Sequence, residues 1–198
     1  MNRRLIHLAL ILPLTFTLCQ CSSMKPEGGT PVEQRAFIDS ETNAVVERLK
    51  KQDPKSVDDL ANSEGVAAFK YASGKLPLIL GGLGAGSGYG VAYDNAKTED
   101  RTYMKVSKYN WGFGMGVKDQ SVVFVFQDRA VFDKFRSGKW DGGAGAEATV
   151  KAGEAGGGIG GTATPKKGFN AYTLTEAGMS YGVTYQARRF SPIKSLNR

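Results

Sequence analysis

The only thiols of the 198-residue chain are Cys19 and Cys21, and its only imidazole is His7. Both cysteines lie in "LCQCSSM", directly after an apolar run from Leu5 to Leu18 that follows Arg3 and Arg4. A spanning helix needs ~20 apolar residues, so this shorter run with its basic start reads as a cleaved export signal. The chemistry that suits a cysteine there is acylation. A lipobox places an aliphatic residue three before the modified cysteine and a small residue just before it. Cys21 has Leu18 in the first position and Gln20 in the second, whereas Cys19 has Phe16 and Leu18. Cys21 fits better and is expected to be the diacylated N-terminus of a lipoprotein, with Cys19 and plain secretion as the alternatives. Ser22 in place of Asp resembles the sorting pattern for the outer membrane, facing the periplasm.

Beyond residue 21 the chain has neither cysteine nor histidine. That excludes disulfides, a thiol nucleophile, Ser-His and Cys-His couples and imidazole metal ligands from the mature body. No D-x-[DN]-x-[DN]-G run supplies an oxygen-only calcium loop. No cofactor or metal is expected. One carboxylate pair, Glu147 and Glu154, has a composition suited to glycosidic cleavage. The two have opposite parity on an uninterrupted strand, which argues against a shared catalytic face.

The remaining chemistry is cationic. The formal charge of +7 falls by two when Arg3 and Arg4 leave with the signal. Such a mild excess suits an anionic lipid surface and is too sparse for a nucleic-acid partner. If acidic headgroups bind, the candidates are Lys105 and Lys108, Lys166 and Lys167 in "TPKKG", and Arg188 and Arg189. Trp111 and Trp140 are candidates for membrane-interface anchors or for core packing.

These residues need elements to hold them. Residues 1–20 are the expected signal, 21–32 a Pro/Gly-rich tether, and 33–198 one domain. Helical spacing of Phe37, Ile38, Val45, Val46 and Leu49 predicts an amphipathic helix from about Pro31 to Gln52, covering the core in preference to entering the membrane. "DPKS" breaks it. Ser56 is expected to cap a second short helix, with Asp59 at the capping-box position and Gly65 as its stop. Strands are expected in "VAAFKYA", "LPLIL" and the glycine-alternating 81–93, then near 102–109, 111–117, 121–126, 144–152, 157–163, 169–175 and 178–187. One internal helix, "DRAVFDKFRSG", should start at an Asp128 cap and stop at Gly138.

Glycine at every second position in "GGLGAGSGYG" answers to a strand with one bare face, not to a phosphate loop. No Gly-Lys-Ser/Thr follows it, and the glycine-dense match at Gly156–Gly161 leads into no convincing helix. Gly82, Gly84, Gly86, Gly88 and Gly90 share a face because side chains alternate along a strand. Each strand glycine costs ~0.5–1 kcal/mol relative to alanine. Close approach of another backbone, or the curvature of a small barrel, would offset that. The expected fold is therefore α+β: a glycine-rich, mainly antiparallel barrel or sandwich with N-terminal helices and one internal helix.

The order of the segments resembles the SYLF domain, most of all the bacterial lipoproteins of that family. The resemblance rests on "YMK" at 103–105, "GFGMGVKD" at 112–119 and "VFVFQDRAVFDKF" at 123–135. It continues in "GKWDGGAGAEATVKAG" at 138–153, "YTLTEAG" at 172–178 and the closing "SLN" at 195–197. It covers roughly residues 60–197. The Trp-Ser-x-Pro segment of eukaryotic members is absent, with "RTYMKVSKY" in its place. The resemblance implies membrane lipid or phosphoinositide-like headgroup binding without catalysis. The alternative is a structural or stress-related envelope protein that binds a protein or peptidoglycan partner.

Overall fold

The structure is a computed structural model that describes residues 24–76, 82–112, 116–139, 162–166, 168–175 and 184–198. Thr30 opens the first helix, α1 (Pro31–Gln52), by accepting the Glu33 amide while the Glu33 carboxylate accepts back from the Thr30 amide. This reciprocal cap, with Pro31 in the first turn, satisfies amides that no helical carbonyl can reach. Those hydrogen bonds hold the Glu33 carboxyl below its usual range. Ile38, Val45, Val46 and Leu49 are buried against the sheet, so α1 is a core helix.

The second helix, α2 (Lys55–Ala61), starts earlier than expected, with Pro54 and not Ser56 in the capping position. Ser56 lies inside it and donates to the Asp53 carbonyl at 2.6 Å. Asp59 does not cap. Its carboxylate accepts instead from Asn170 Nδ2 at 2.6 Å and from the Tyr172 hydroxyl. Gly65 is not a helix stop but the first residue of a strand.

Among the described residues seven strands follow: β1 (Gly65–Leu76), β2 (Gly82–Asp94), β3 (Arg101–Gly112), β4 (Gly116–Phe126), β5 (Thr162–Lys166), β6 (Phe169–Thr175) and β7 (Thr184–Pro192). They form one antiparallel sheet in the order β5-β6-β4-β1-β2-β3-β7. Of the strand expected at 111–117, residues 111–112 end β3 and 116–117 begin β4, while 113–115 lie outside the described residues; Lys118–Gln120 continue β4 without a turn. The last strand runs past its expected end at 187 to Pro192. The strand expected at 144–152 lies outside the described residues.

Helix α3 (Arg129–Arg136) sits between β4 and β5 in sequence, with Asp128 accepting the Val131 amide at 3.1 Å. Gly138, at φ +74°, follows it; that left-handed backbone suits glycine. The two sheet faces are distinct. On one, α3 packs Phe132 and Phe135 against Phe69, Phe124, Phe126, Phe169 and Phe190. On the other, α1 covers Val66, Ala68, Val91, Tyr103, Val123 and Val125.

The glycine-bare stripe of β2 lies on the phenylalanine face, in register with Phe69, Tyr71 and Ser73 of β1. A Cβ at Gly88 would fall 2.1 Å from the Lys70 carbonyl and 2.4 Å from Tyr71 Cβ. At Gly90 it would fall 2.3 Å from the Phe69 ring, and at Gly86 2.2 Å from the Ala72 carbonyl. The close neighbour is thus the adjacent strand of the same sheet, not a crossing helix. With no Cβ on β2, the space a side chain would take there is held by the side chains and carbonyls of β1.

Candidate functional site

Cationic residues collect on β3 and β7, the ribbon at one end of the sheet. Neither strand contains Asp or Glu, while β3 carries Arg101, Lys105 and Lys108 and β7 carries Arg188 and Arg189. Register places Lys108 directly opposite Arg188, and Ser107 opposite Arg189. Alternation along the strands then divides the basic residues between the two faces.

Lys108 and Arg188 fall on the phenylalanine face. Lys108 is 1% exposed and donates from Nζ to Gln120 Oε1 at 2.6 Å. Its ammonium lies 5.0 Å from the centre of the Tyr71 ring, and the Arg188 guanidinium carbon lies 5.3 Å from the same centre. Two cations this close to one electron-rich ring each make a cation–π contact with it. A buried ammonium is costly unless hydrogen-bonded, and Gln120, the register partner of Tyr71 on β4, supplies an oxygen. Lys108 is therefore not a solvent-facing cation, contrary to the sequence expectation. It ties β3 to β1 and β4 from inside.

Lys105 and Arg189 fall on the opposite face, beyond the part covered by α1, and both are exposed. Tyr109, two rows from Lys105 on the same face, is 62% exposed. These three side chains offer two cations and an amphipathic aromatic ring to solvent. Lys166 is the last residue of β5, at the far end of the strand order from β7. Lys167 lies outside the described residues, as do Cys19, Cys21, Trp140, Glu147 and Glu154. Trp111 belongs to β3 and pairs with Leu83 and Tyr185.

Several struts hold this ribbon. Asp39 of α1 accepts from Arg101 Nη1 at 2.8 Å and from the Tyr103 hydroxyl at 2.9 Å. Burial first, then the Asp39 hydrogen bond, pushes the Tyr103 phenol up to about 12. A second acid–phenol pair, Asp59 with Tyr172, likewise has a raised phenol, chiefly through burial. Phenols shifted this way stay protonated and donate at neutral pH; they are not poised as bases. Asn197, in the closing "SLN", accepts the Tyr103 amide at 2.8 Å and donates to the Tyr103 carbonyl at 2.8 Å. One side-chain amide thereby satisfies both backbone groups of a β3 residue just beyond the end of β7. At the same strand end, where the Asp94 amide donates to the Asp100 carbonyl, Arg129 of α3 pairs with Asp94, whose carboxyl that hydrogen bond holds below its usual value.

Sequence reasoning missed Tyr71, Gln120, Asn197 and Tyr109. The parity of Lys105 and Lys108 was readable from their odd spacing, but the face each parity met required the register of β1 and β7.

Among the described residues no group of three His, Cys, Asp or Glu side chains could hold a metal ion, and no helix is long and apolar enough to cross a membrane. No protein-family model matches the chain. The chain is 31% identical over 150 residues to beta cell expansion factor A of Aeromonas veronii, an alignment covering 76% of this chain and 54% of that protein. The chain thus spans about half the length of the curated relative it matches.

Proposed function

We propose that the protein is a SYLF-like lipoprotein, anchored through Cys21 in the cell envelope, whose domain binds anionic membrane lipid and performs no catalysis. The observation that carries this reading is the β3–β7 ribbon: five basic residues in two paired strands with no carboxylate in either. Lys105 and Arg189 are its headgroup contacts. Lys108 and Arg188 set the position of the ribbon from the buried side.

The same reading includes closure of the sheet toward a barrel or sandwich. The side-chain-free stripe at Gly86, Gly88 and Gly90 supports it, because such a stripe permits strong curvature. Support for lipid as the ligand comes also from the SYLF resemblance of residues 60–197 and from the lipobox-like "LCQC".

Flotation of residues 22–198 with phosphatidylglycerol-containing vesicles tests it. Without the acyl site, the domain should float at low salt and sink as salt rises. A domain that ignores anionic vesicles at low salt overturns the lipid reading in favour of a protein or peptidoglycan partner.

A further inference from the structure

The segment expected to be a loose tether is tied to the sheet at its start. The Met24 amide donates to the Ser87 carbonyl at 3.3 Å, and Met24 packs against the cluster of Ile38, Tyr89, Val91, Tyr103 and Leu196. Ser87 is in register with Ser107 of β3, which is in register with Arg189 of β7. The neighbouring rows are Tyr89–Lys105–Ser191 and Ala85–Tyr109–Ala187. Met24 therefore docks beside the exposed patch, on the row between Lys105 and Tyr109, one strand from those two and two strands from Arg189.

Cys21 precedes Met24 by three residues, and three residues fully extended reach at most about 11 Å. Adjacent strands lie about 4.8 Å apart, so Arg189 stands about 10 Å from Ser87 across the sheet. An acyl-bearing Cys21 has its backbone at headgroup level, and so short a leash leaves the domain no room to stand off from the bilayer. The geometry points to a membrane-docking face: the part of β2, β3 and β7 around Ser87 that α1 leaves open lies against the leaflet holding the acyl chains. Lys105 and Arg189 meet anionic headgroups there, and Tyr109 sits at the interface, where tyrosine is favoured.

Charge along the central row agrees with this orientation. The nearest carboxylate in that row, Asp119 of β4, is four strand positions away from Arg189. Lys25 and Glu27 on the incoming segment cancel. Each basic residue near an anionic surface is worth about 1 kcal/mol, or roughly fivefold in partitioning. Two such residues bind weakly in free solution, but the leash makes the second contact intramolecular. The inference rests on the lipid-anchored reading above and specifies the surface and the leaflet it engages.

The test uses the acylated full-length product reconstituted in mixed phosphatidylethanolamine–phosphatidylglycerol vesicles. A polarity-sensitive fluorophore is placed on Tyr109→Cys or on Lys134→Cys, the latter exposed on α3 across the sheet. The label at 109 should shift to the blue and be quenched by lipids spin-labelled near the headgroup, while the label at 134 should behave as in water. Adding Lys105→Gln and Arg189→Gln should reverse the shift at 109 while the acyl chains keep the protein on the vesicle. Equal quenching at both positions, or none at 109 in a chain whose acylation is confirmed by mass, overturns the docking face. If residues 22–198 still float in that case, the lipid-binding reading survives without this orientation. If Cys21 carries no acyl group, the anchored reading and this inference fail together.

Discussion

The two faces of the β3–β7 ribbon use the same residue types for opposite ends. On the inner face Lys108 and Arg188 both lie over the Tyr71 ring, and Lys108 spends its ammonium on Gln120. On the outer face Lys105 and Arg189, a residue or three away in sequence, stand in solvent beside Tyr109. A cation inside a fold is a structural commitment, because removing its partners leaves charge in a low-dielectric setting. A cation outside costs the fold little and remains available to a ligand. Side-chain alternation alone makes this division, so in the proposed function the two pairs separate stability from binding.

The largest effect expected lies beneath the inner pair. Gly88→Val would force a branched side chain into space held by the Lys70 carbonyl and Tyr71 Cβ. It should lower stability by about 3 kcal/mol or more in urea unfolding, whereas Gly29→Ala, whose Cβ has only Glu33 Oε2 within reach at 3.7 Å, should be nearly silent. Next comes the contrast between the lysines. Lys108→Ala should cost about 2–4 kcal/mol through lost packing and an abandoned Gln120 acceptor, while Lys105→Ala stays within about 0.5 kcal/mol. Equal losses at 105 and 108 in the same urea series would erase the distinction between the faces.

On the binding side, Lys105→Gln with Arg189→Gln should weaken association of residues 22–198 with anionic vesicles about 30-fold, at unchanged melting temperature. Vesicle titration followed by fluorescence reads this directly.

The smallest effect expected is a change of slope with pH. The Arg129 hydrogen bond lowers the Asp94 carboxyl, with the Ala96 and Lys97 amides helping and burial opposing. A carboxylate depressed in the folded state contributes stability that is full above its unfolded value of about 3.9. That contribution fades as pH falls through the lower, folded value. Asp94→Asn should therefore melt lower at neutral pH and show a flatter acid limb in thermal scans.

Much of the fold was legible. The Asp128 cap and Gly138 stop delimit α3, and the apolar spacing of α1 gave its buried side, because both signals are local. The glycine alternation revealed a bare strand face, yet not what fills it. The neighbour proved to be β1, whose pairing with β2 depends on a register that no local pattern encodes. Asp59 looked like a helix cap and instead serves Tyr172, 113 residues away in sequence; contacts of that range are invisible to spacing rules. The candidate site was half visible. The basic residues stood out, but the burial of Lys108 follows from Tyr71 and Gln120, which carried no signal of their own. The "SLN" ending was matched as a pattern, and its physical role appeared only when Asn197 met both backbone groups of Tyr103.

The most direct measurement compares the two ends of the sheet. Residues 22–198 in three forms (unaltered, Lys105→Gln with Arg189→Gln, and Lys166→Gln) are floated side by side with phosphatidylglycerol vesicles and with purely zwitterionic ones at low salt. The unaltered domain and Lys166→Gln should rise with the anionic vesicles alone, and the doubly neutralised form should remain below. If the doubly neutralised form rises as readily as the unaltered domain, the outer face of β3 and β7 is not where the membrane is met.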